Sequence, residues 1–88
     1  MIFIVFGKWR KGMTKEMVDD ASNRLAQMTK EGIKWLGNYW TLGRYDLVAI
    51  TEAKDENALM KALIQWGDLL STETLVAIPR EEAVKLVE

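Results

Sequence analysis

The amino-acid sequence predicts an α+β domain built from two successive β-α-β units. Three observations support this prediction. The hydrophobic period switches in a regular order between that of a strand, about two residues, and that of a helix, about 3.6 residues. A good N-cap residue precedes each of the two helical segments. Gly43 separates two strand-like segments near the middle of the chain, and the halves on either side of it have nearly equal length, which indicates an internal duplication.

The first half of the chain reads as a strand followed by a helix. Ile2–Trp9 is rich in β-branched and aromatic residues, which are typical of strands. Thr14 can cap a helix over residues 15–31, and Gly32 stands where a helix favours a residue in the left-handed conformation. The apolar residues of this helix fall on one stripe, which consists of Met17, Val18, Ala21, Leu25 and Met28.

The second half begins with a β-hairpin. The segments Ile33–Leu42 and Tyr45–Glu52 have the composition of strands, and the short connection at Gly43 predicts that they pair antiparallel. Gly43 is expected to adopt a positive φ angle in the turn, because a glycine carries no Cβ atom that would clash there. Gly43 is therefore assigned a structural role.

The rest of the second half predicts a helix and a strand. Asp55 can cap the helix, and Gly67 is expected to end it. Leu70–Ile78 reads as the last strand, and Pro79 stops it because proline supplies no amide proton to a ladder. The apolar stripe of the helix consists of Ala58, Leu59, Ala62, Leu63 and Trp66.

The order β-α-β-β-α-β is that of ferredoxin-like folds. Right-handed crossovers place both helices on one face of a four-stranded antiparallel sheet, which leaves the other face bare. A sheet with one face in water should alternate apolar and polar residues, but these strands are apolar on both faces. In the first strand Ile2, Ile4 and Phe6 oppose Phe3, Val5 and Trp9, and in the third Leu47 and Ala49 oppose Val48 and Ile50.

A second copy of the chain is the simplest cover for the bare face, because soluble monomers rarely expose apolar patches of more than several hundred Å². Two sheets packed face to face about a twofold axis would form a dimeric α/β barrel with the helices outside. The alternative is a monomer whose bare face is only mildly apolar. The chain is expected to be a single domain, 1–88, with a short tail, 79–88, that could latch onto either subunit through Ala83, Leu86 and Val87.

The composition and the strand sequences argue against several classes of function. Twelve basic and 13 acidic residues give a net charge of −1, so nothing favours nucleic acid. The third strand after Tyr45 reads DLVAIT, without the aromatic residues on which RNA-binding sheets stack bases. With neither Cys nor His, we predict no cofactor and no metal site, since Asp46 and Glu52 alone supply too few ligands. The N-terminus reads as a strand and not as a signal peptide, and no apolar run approaches the roughly 20 residues of a membrane span. We expect no membrane association and a cytoplasmic location.

The segment Tyr39–Ala53, YWTLGRYDLVAITEA, together with the later STETLVAI, resembles the GYD-domain family of small proteins. The resemblance runs from Ile2 to Ile78 and is most specific at Gly43, Tyr45 and Asp46. Arg44 separates the glycine from Tyr45-Asp46, so the match is to a G-x-Y-D form. The resemblance implies the fold of the dimeric α/β barrels and dimerisation, but it implies no reaction.

Asp46 is the one carboxylate embedded among apolar residues of this hairpin. If its strand face looks into the barrel, Asp46 could act as a general base, with Tyr45 as a nearby phenol. Alternatively, Asp46 caps the hairpin by accepting hydrogen bonds from backbone amides near Gly43.

Two function classes follow. The first is a small-molecule-binding or sensing module, and the alternative is a cofactor-independent, monooxygenase-like enzyme acting on a planar organic substrate in the barrel cavity. A cavity of a few hundred Å³ lined by Asp46 or Tyr45 would favour the enzyme, and an interior filled by side chains would favour the module. The candidate ligand-binding residues are Trp40, Tyr39, Arg44 and Trp9, beside which Trp35 or Trp66 could also form an aromatic wall.

Overall fold

The computed structural model describes residues 1–87, so Glu88, the last residue of the predicted tail, lies outside the described residues. The order of elements is the predicted one, with a short helical tail at the end. The elements are β1 (Ile2–Trp9), α1 (Lys15–Lys30), β2 (Lys34–Trp40), β3 (Leu47–Glu52), α2 (Glu56–Ile64), β4 (Leu70–Ala77), α3 (Arg80–Ala83) and a 3₁₀ turn (Val84–Val87).

The four strands form one sheet in the order β2-β3-β1-β4, and all neighbours are antiparallel. Ile4 lies at the centre, with Ile50 of β3 on one side and Leu75 of β4 on the other. In β2 a bulge between Trp35 and Gly37 shifts the register. The βαββαβ order, the antiparallel sheet and the two helices on one face confirm the predicted ferredoxin-like α+β fold.

Both predicted N-caps are present. The Thr14 Oγ1 atom accepts a hydrogen bond from the Met17 amide at 3.3 Å, and the Asp55 Oδ1 atom accepts one from the Ala58 amide at 2.9 Å. Each cap satisfies one of the amides that a helix leaves without an intrahelical acceptor. The local sequence therefore sets where both helices begin.

The glycines at two of the three predicted positions behave as expected. Gly32 and Gly43 have φ angles of 97° and 111°, which residues with a Cβ atom rarely adopt. The prediction that Gly67 ends the second helix is wrong, because α2 ends at Ile64 and Gly67 lies in the turn that follows.

The connection in the hairpin is longer than predicted. β2 ends at Trp40 and β3 begins at Leu47, so residues 41–46 form a loop rather than a tight turn at Gly43. Leu42, which the sequence assigned to a strand, is fully exposed in this loop. Tyr45 and Asp46 also belong to the loop, and this placement determines what their side chains contact.

The core lies between the helices and one face of the sheet. Its buried residues include Phe3, Val5 and Ala49 from the sheet, Met28 from α1, and Leu59 and Trp66 from α2 and its following turn. The opposite face carries Ile2, Ile4, Phe6, Val48 and Ile50, which are only half-buried. The predicted division of β1 and β3 into two apolar faces is therefore confirmed. Within residues 1–87, no helix is long and apolar enough to cross a membrane.

Candidate ligand-binding site

A cavity of about 180 Å³ lies between α1 and the sheet. Buried side chains, among them Val5, Met28 and Ala49, form its inner end. The exposed residues Tyr39 and Trp40, at the end of β2, form part of its mouth. The cavity therefore connects the hydrophobic core with the surface at the edge of the sheet.

All four tryptophans of the chain contribute to the lining. Trp9 and Trp40 come from β1 and β2 and meet edge to face, with ring centroids 5.8 Å apart and planes inclined by 75°. This is one of the two geometries that aromatic pairs prefer. Trp35 and Trp66 complete the aromatic part of the wall.

The four indole N–H groups differ in their partners. Trp66 donates to the Met28 sulfur at 3.1 Å, and Trp35 donates to the Leu25 carbonyl at 3.4 Å. For Trp9 and Trp40, residues 1–87 provide no acceptor for the indole N–H group. Trp40 is 66% exposed and Trp9 is half-buried, so these two donors are open to water or to a ligand.

An ion-pair network ties α1 to the turn after α2 beside this cavity. Arg24 binds Asp68 at 2.7 Å and Asp20 at 2.9 Å, and its guanidinium lies 5.6 Å from the ring centroid of Trp66. The hydrogen bond to Asp68 raises the pKa of Arg24 further above its ordinary value, and the same bond lowers the pKa of Asp68 to about 2. The network keeps Trp66 covered on its outer side. The i, i+4 spacing of Asp20 and Arg24 in the sequence indicates one of the two ion pairs, Arg24–Asp20.

Asp46 links the hairpin loop to β1 through hydrogen bonds. Its Oδ2 atom accepts from the Trp9 amide at 2.8 Å, and its own amide donates to the Gly7 carbonyl at 2.8 Å. Its carbonyl oxygen accepts from the Thr41 amide at 2.8 Å. The side chain thus binds a backbone amide, as one of the two interpretations expected. The amide, however, is that of Trp9 in β1 and not one near Gly43.

Tyr45 lies on the other side of the sheet. Its ring stands against Phe6 at a centroid distance of 4.9 Å, and its hydroxyl donates to the Glu73 carboxylate. The guanidinium of Arg44 is 5.6 Å from the centroid of the same ring. These residues belong to the face of the sheet that carries no helices.

The structure therefore divides the candidate residues into two groups. Trp9, Tyr39 and Trp40 line the cavity, and Arg44, Tyr45 and Asp46 do not. A catalytic role for Asp46 and Tyr45 stays a prediction. The sequence did not indicate the polar residues of the lining, Ser22, Asn38 and Thr72, because exposed polar residues on a helix and on edge strands resemble ordinary solvated positions.

The Tyr45–Glu73 contact gives a pH-dependent prediction. The hydrogen bond to Glu73 is the main cause that raises the pKa of Tyr45 above its ordinary value, and burial adds to it. In a Tyr39→Phe background, where Tyr45 is the remaining tyrosine, we expect tyrosinate absorbance to appear at a higher pH with Glu73 than with Glu73→Gln. Because the folded pKa is raised, this contact stabilises the protein below the unfolded pKa of about 10 and loses its effect as the pH rises through the folded pKa. Equal titration midpoints in the two variants would contradict the contact.

The sheet order, the helices on one face and the aromatic cavity define a ferredoxin-like domain with an internal apolar cavity. The chain belongs to the GYD domain family, whose model matches residues 3–87. This confirms the resemblance found at Tyr39–Ala53.

Solved structures are similar in fold at low sequence identity. The protein SCO4226 from Streptomyces coelicolor A3(2) is 14% identical, with a TM-score of 0.56 over 88% of this chain and 95% of that one. A dimeric ferredoxin-like protein of unknown function from Thermobifida fusca YX is 16% identical, with a TM-score of 0.47 over 86% of this chain and 89% of that one. Among curated proteins, no match is found. At these identities the structural similarity concerns the fold alone.

Proposed function

We propose that this protein is a small-molecule-binding module whose cavity takes an uncharged, single-ring aromatic compound with a hydrogen-bond acceptor. The observation that carries the proposal is the cavity of about 180 Å³ walled by all four tryptophans. A core cavity of about 150 Å³ in another protein is large enough to bind benzene. The volume therefore fits one aromatic ring with a small substituent.

The lining explains why the ligand should be uncharged. Among the described residues that line the cavity, none carries a formal charge. Moving a charge out of water without a partner is costly, so an ion would not enter. The indole N–H groups of Trp9 and Trp40 and the side chains of Ser22 and Asn38 provide the polar contacts, which favours a ring with a hydroxyl or carbonyl group.

Binding is favoured over catalysis by the position of the candidate catalytic groups. Asp46 is bonded to the backbone of Trp9, and Tyr45 is bonded to Glu73 on the opposite face. A general base must come within hydrogen-bond reach of its substrate, directly or through one water. Neither group lines the cavity, which supports the binding module.

We further propose that two copies associate through the open face of the sheet, which we define as the apolar patch formed by Ile2, Ile4, Phe6, Val48, Ile50 and Leu75 on the side that carries no helices. Tyr45 and Glu73 border this patch beside Phe6. The side chains of the patch are half-buried or exposed within one chain. Because all of them are apolar, packing against a second copy would remove their surface from water.

The binding proposal is tested by NMR of the indole N–H groups. Four tryptophans give four indole signals, and we expect p-cresol to shift those of Trp9 and Trp40 most, since their N–H groups are available. Toluene, which has the same ring and methyl group but no acceptor, should bind up to about tenfold more weakly, because one hydrogen bond contributes about 0.5–1.5 kcal/mol. No shift of any indole signal with either compound would contradict the proposal for this ligand class.

A matched pair of variants tests whether binding occurs in the cavity. Ala21 lines it from α1, whereas Ala26, on the same helix, is exposed and does not. Ala21→Leu should fill part of the volume and weaken p-cresol binding by about tenfold or more, since overpacking typically costs about 1–3 kcal/mol. Ala26→Leu should leave the affinity unchanged. Equal affinities in the two variants would place the ligand elsewhere.

A further inference from the structure

The C-terminal tail, residues 80–87, follows β4 as helix α3 and the 3₁₀ turn, and most of it is exposed. Helix α3 packs on the 3₁₀ turn that follows it. Leu86 and Val87 are 76% and 86% exposed, so one chain leaves these two apolar side chains of the tail largely uncovered.

An apolar groove lies between α2 and β4, on the helix side of the sheet. Its volume is about 400 Å³. Met60 and Ile64 of α2 and Val76 of β4 line it and are exposed, with Ile64 at 72%. Phe3 and Leu59 form its buried floor. The groove thus presents aliphatic surface that one chain leaves uncovered.

We propose that the tail of one copy occupies the α2–β4 groove of a second copy. Within one chain the tail could reach this groove only by turning back within Ile78 and Pro79, the two residues that separate β4 from α3. Pro79 is extended, with φ −53° and ψ 142°, and proline fixes this φ angle. We therefore place the tail on the groove of a second copy, which offers the same surface without such a turn.

The charges of the groove and of the tail, and the position of the groove beside β4, support the tail of a second copy as the occupant. Glu56 lines the groove, and within residues 1–87 it forms no ion pair. The same holds for Lys85, which lies between the apolar residues Val84 and Leu86 of the tail. β4 borders the groove on one face and contributes Leu75 to the open face on the other, so tail exchange would extend the proposed dimer interface around the sheet edge. The inference rests on the self-association proposed above.

Disulfide trapping tests the exchange, since the native chain contains no cysteine. A tagged Leu86→Cys chain is mixed with an untagged Ile64→Cys chain under mild oxidation. We expect a disulfide between the two chains to form at least tenfold faster than in a control mixture of Leu86→Cys with Ala26→Cys, which lies on exposed α1 surface. A rate no higher than the control would overturn the proposal. So would a double variant that closes its disulfide within one chain at high dilution.

A second, full-length variant distinguishes the tail exchange from the proposed dimer and from the proposed ligand-binding cavity. Leu86→Asp should raise the dissociation constant of the dimer by tenfold or more and leave p-cresol binding unchanged, because no residue of the tail lines the cavity. A dissociation constant that is the same with and without Leu86→Asp would refute the tail exchange but not dimerisation. A monomeric native protein would refute both. If the native chain does not bind p-cresol, only the proposal that the cavity binds a ligand is refuted.

Discussion

Replacing Ile4 by glutamate is expected to convert the proposed dimer into a folded monomer. Ile4 is the middle residue of the open face, between Ile50 and Leu75. In the dimer, each copy would bring an unpaired carboxylate into an apolar interface, at an effective penalty of several kcal/mol per ion. Since each 1.4 kcal/mol corresponds to a factor of ten, we expect the dissociation constant to rise by about 100-fold or more. Light scattering at micromolar concentration measures the mass directly.

The control for Ile4→Glu is the same type of change at Leu42. Leu42 is fully exposed at the tip of the hairpin loop, so Leu42→Glu should leave both mass and fold unchanged. Circular dichroism and tryptophan fluorescence should show a folded chain for both variants, because the open face is separate from the core under the helices. A folded Ile4→Glu protein that keeps the mass of a dimer would exclude the open face as the interface.

The fold could be predicted because its determinants are local and repetitive. Thr14, Asp55, Gly32 and Gly43 act on their immediate neighbours, and the alternation in β1 and β3 assigns each residue to a face. The same alternation revealed the second apolar face, since it depends only on the period of a strand.

The candidate site was predicted less well because it depends on contacts between distant residues. The sequence predicted that Tyr45 and Asp46 lie in a strand. In the structure a loop replaces the start of that strand, and the carboxylate of Asp46 accepts a hydrogen bond from the Trp9 amide. Trp9 and Trp40 were identified as ligand candidates, but their edge-to-face contact across two strands is visible only in three dimensions. The pairing of Arg24 with Asp68 spans 44 residues, for which no spacing rule exists.

Asp46→Ala is expected to destabilise the protein by about 2 kcal/mol. The half-buried carboxylate accepts the Trp9 amide at 2.8 Å, and hydrogen bonds to charged groups contribute about 1.5–3 kcal/mol. Removing the acceptor leaves this amide without its partner. Urea unfolding followed by tryptophan fluorescence, at fixed protein concentration because an associating chain is stabilised by mass action, measures the loss. Asp19→Ala, which removes an exposed carboxylate on α1, is the control and should change stability little.

Asp46→Asn separates the structural role of this residue from the catalytic one. The asparagine side chain retains an oxygen that can accept the Trp9 amide, so we expect it to recover a large part of the stability lost in Asp46→Ala. The indole signal of Trp9 should keep its native position in Asp46→Asn and shift in Asp46→Ala, because the bonded amide holds the residue that lines the cavity. An asparagine cannot act as a general base. If Asp46→Asn kept full stability and ligand affinity but abolished turnover of a bound aromatic compound, the protein would be an enzyme that uses Asp46, and the binding-module proposal would be wrong.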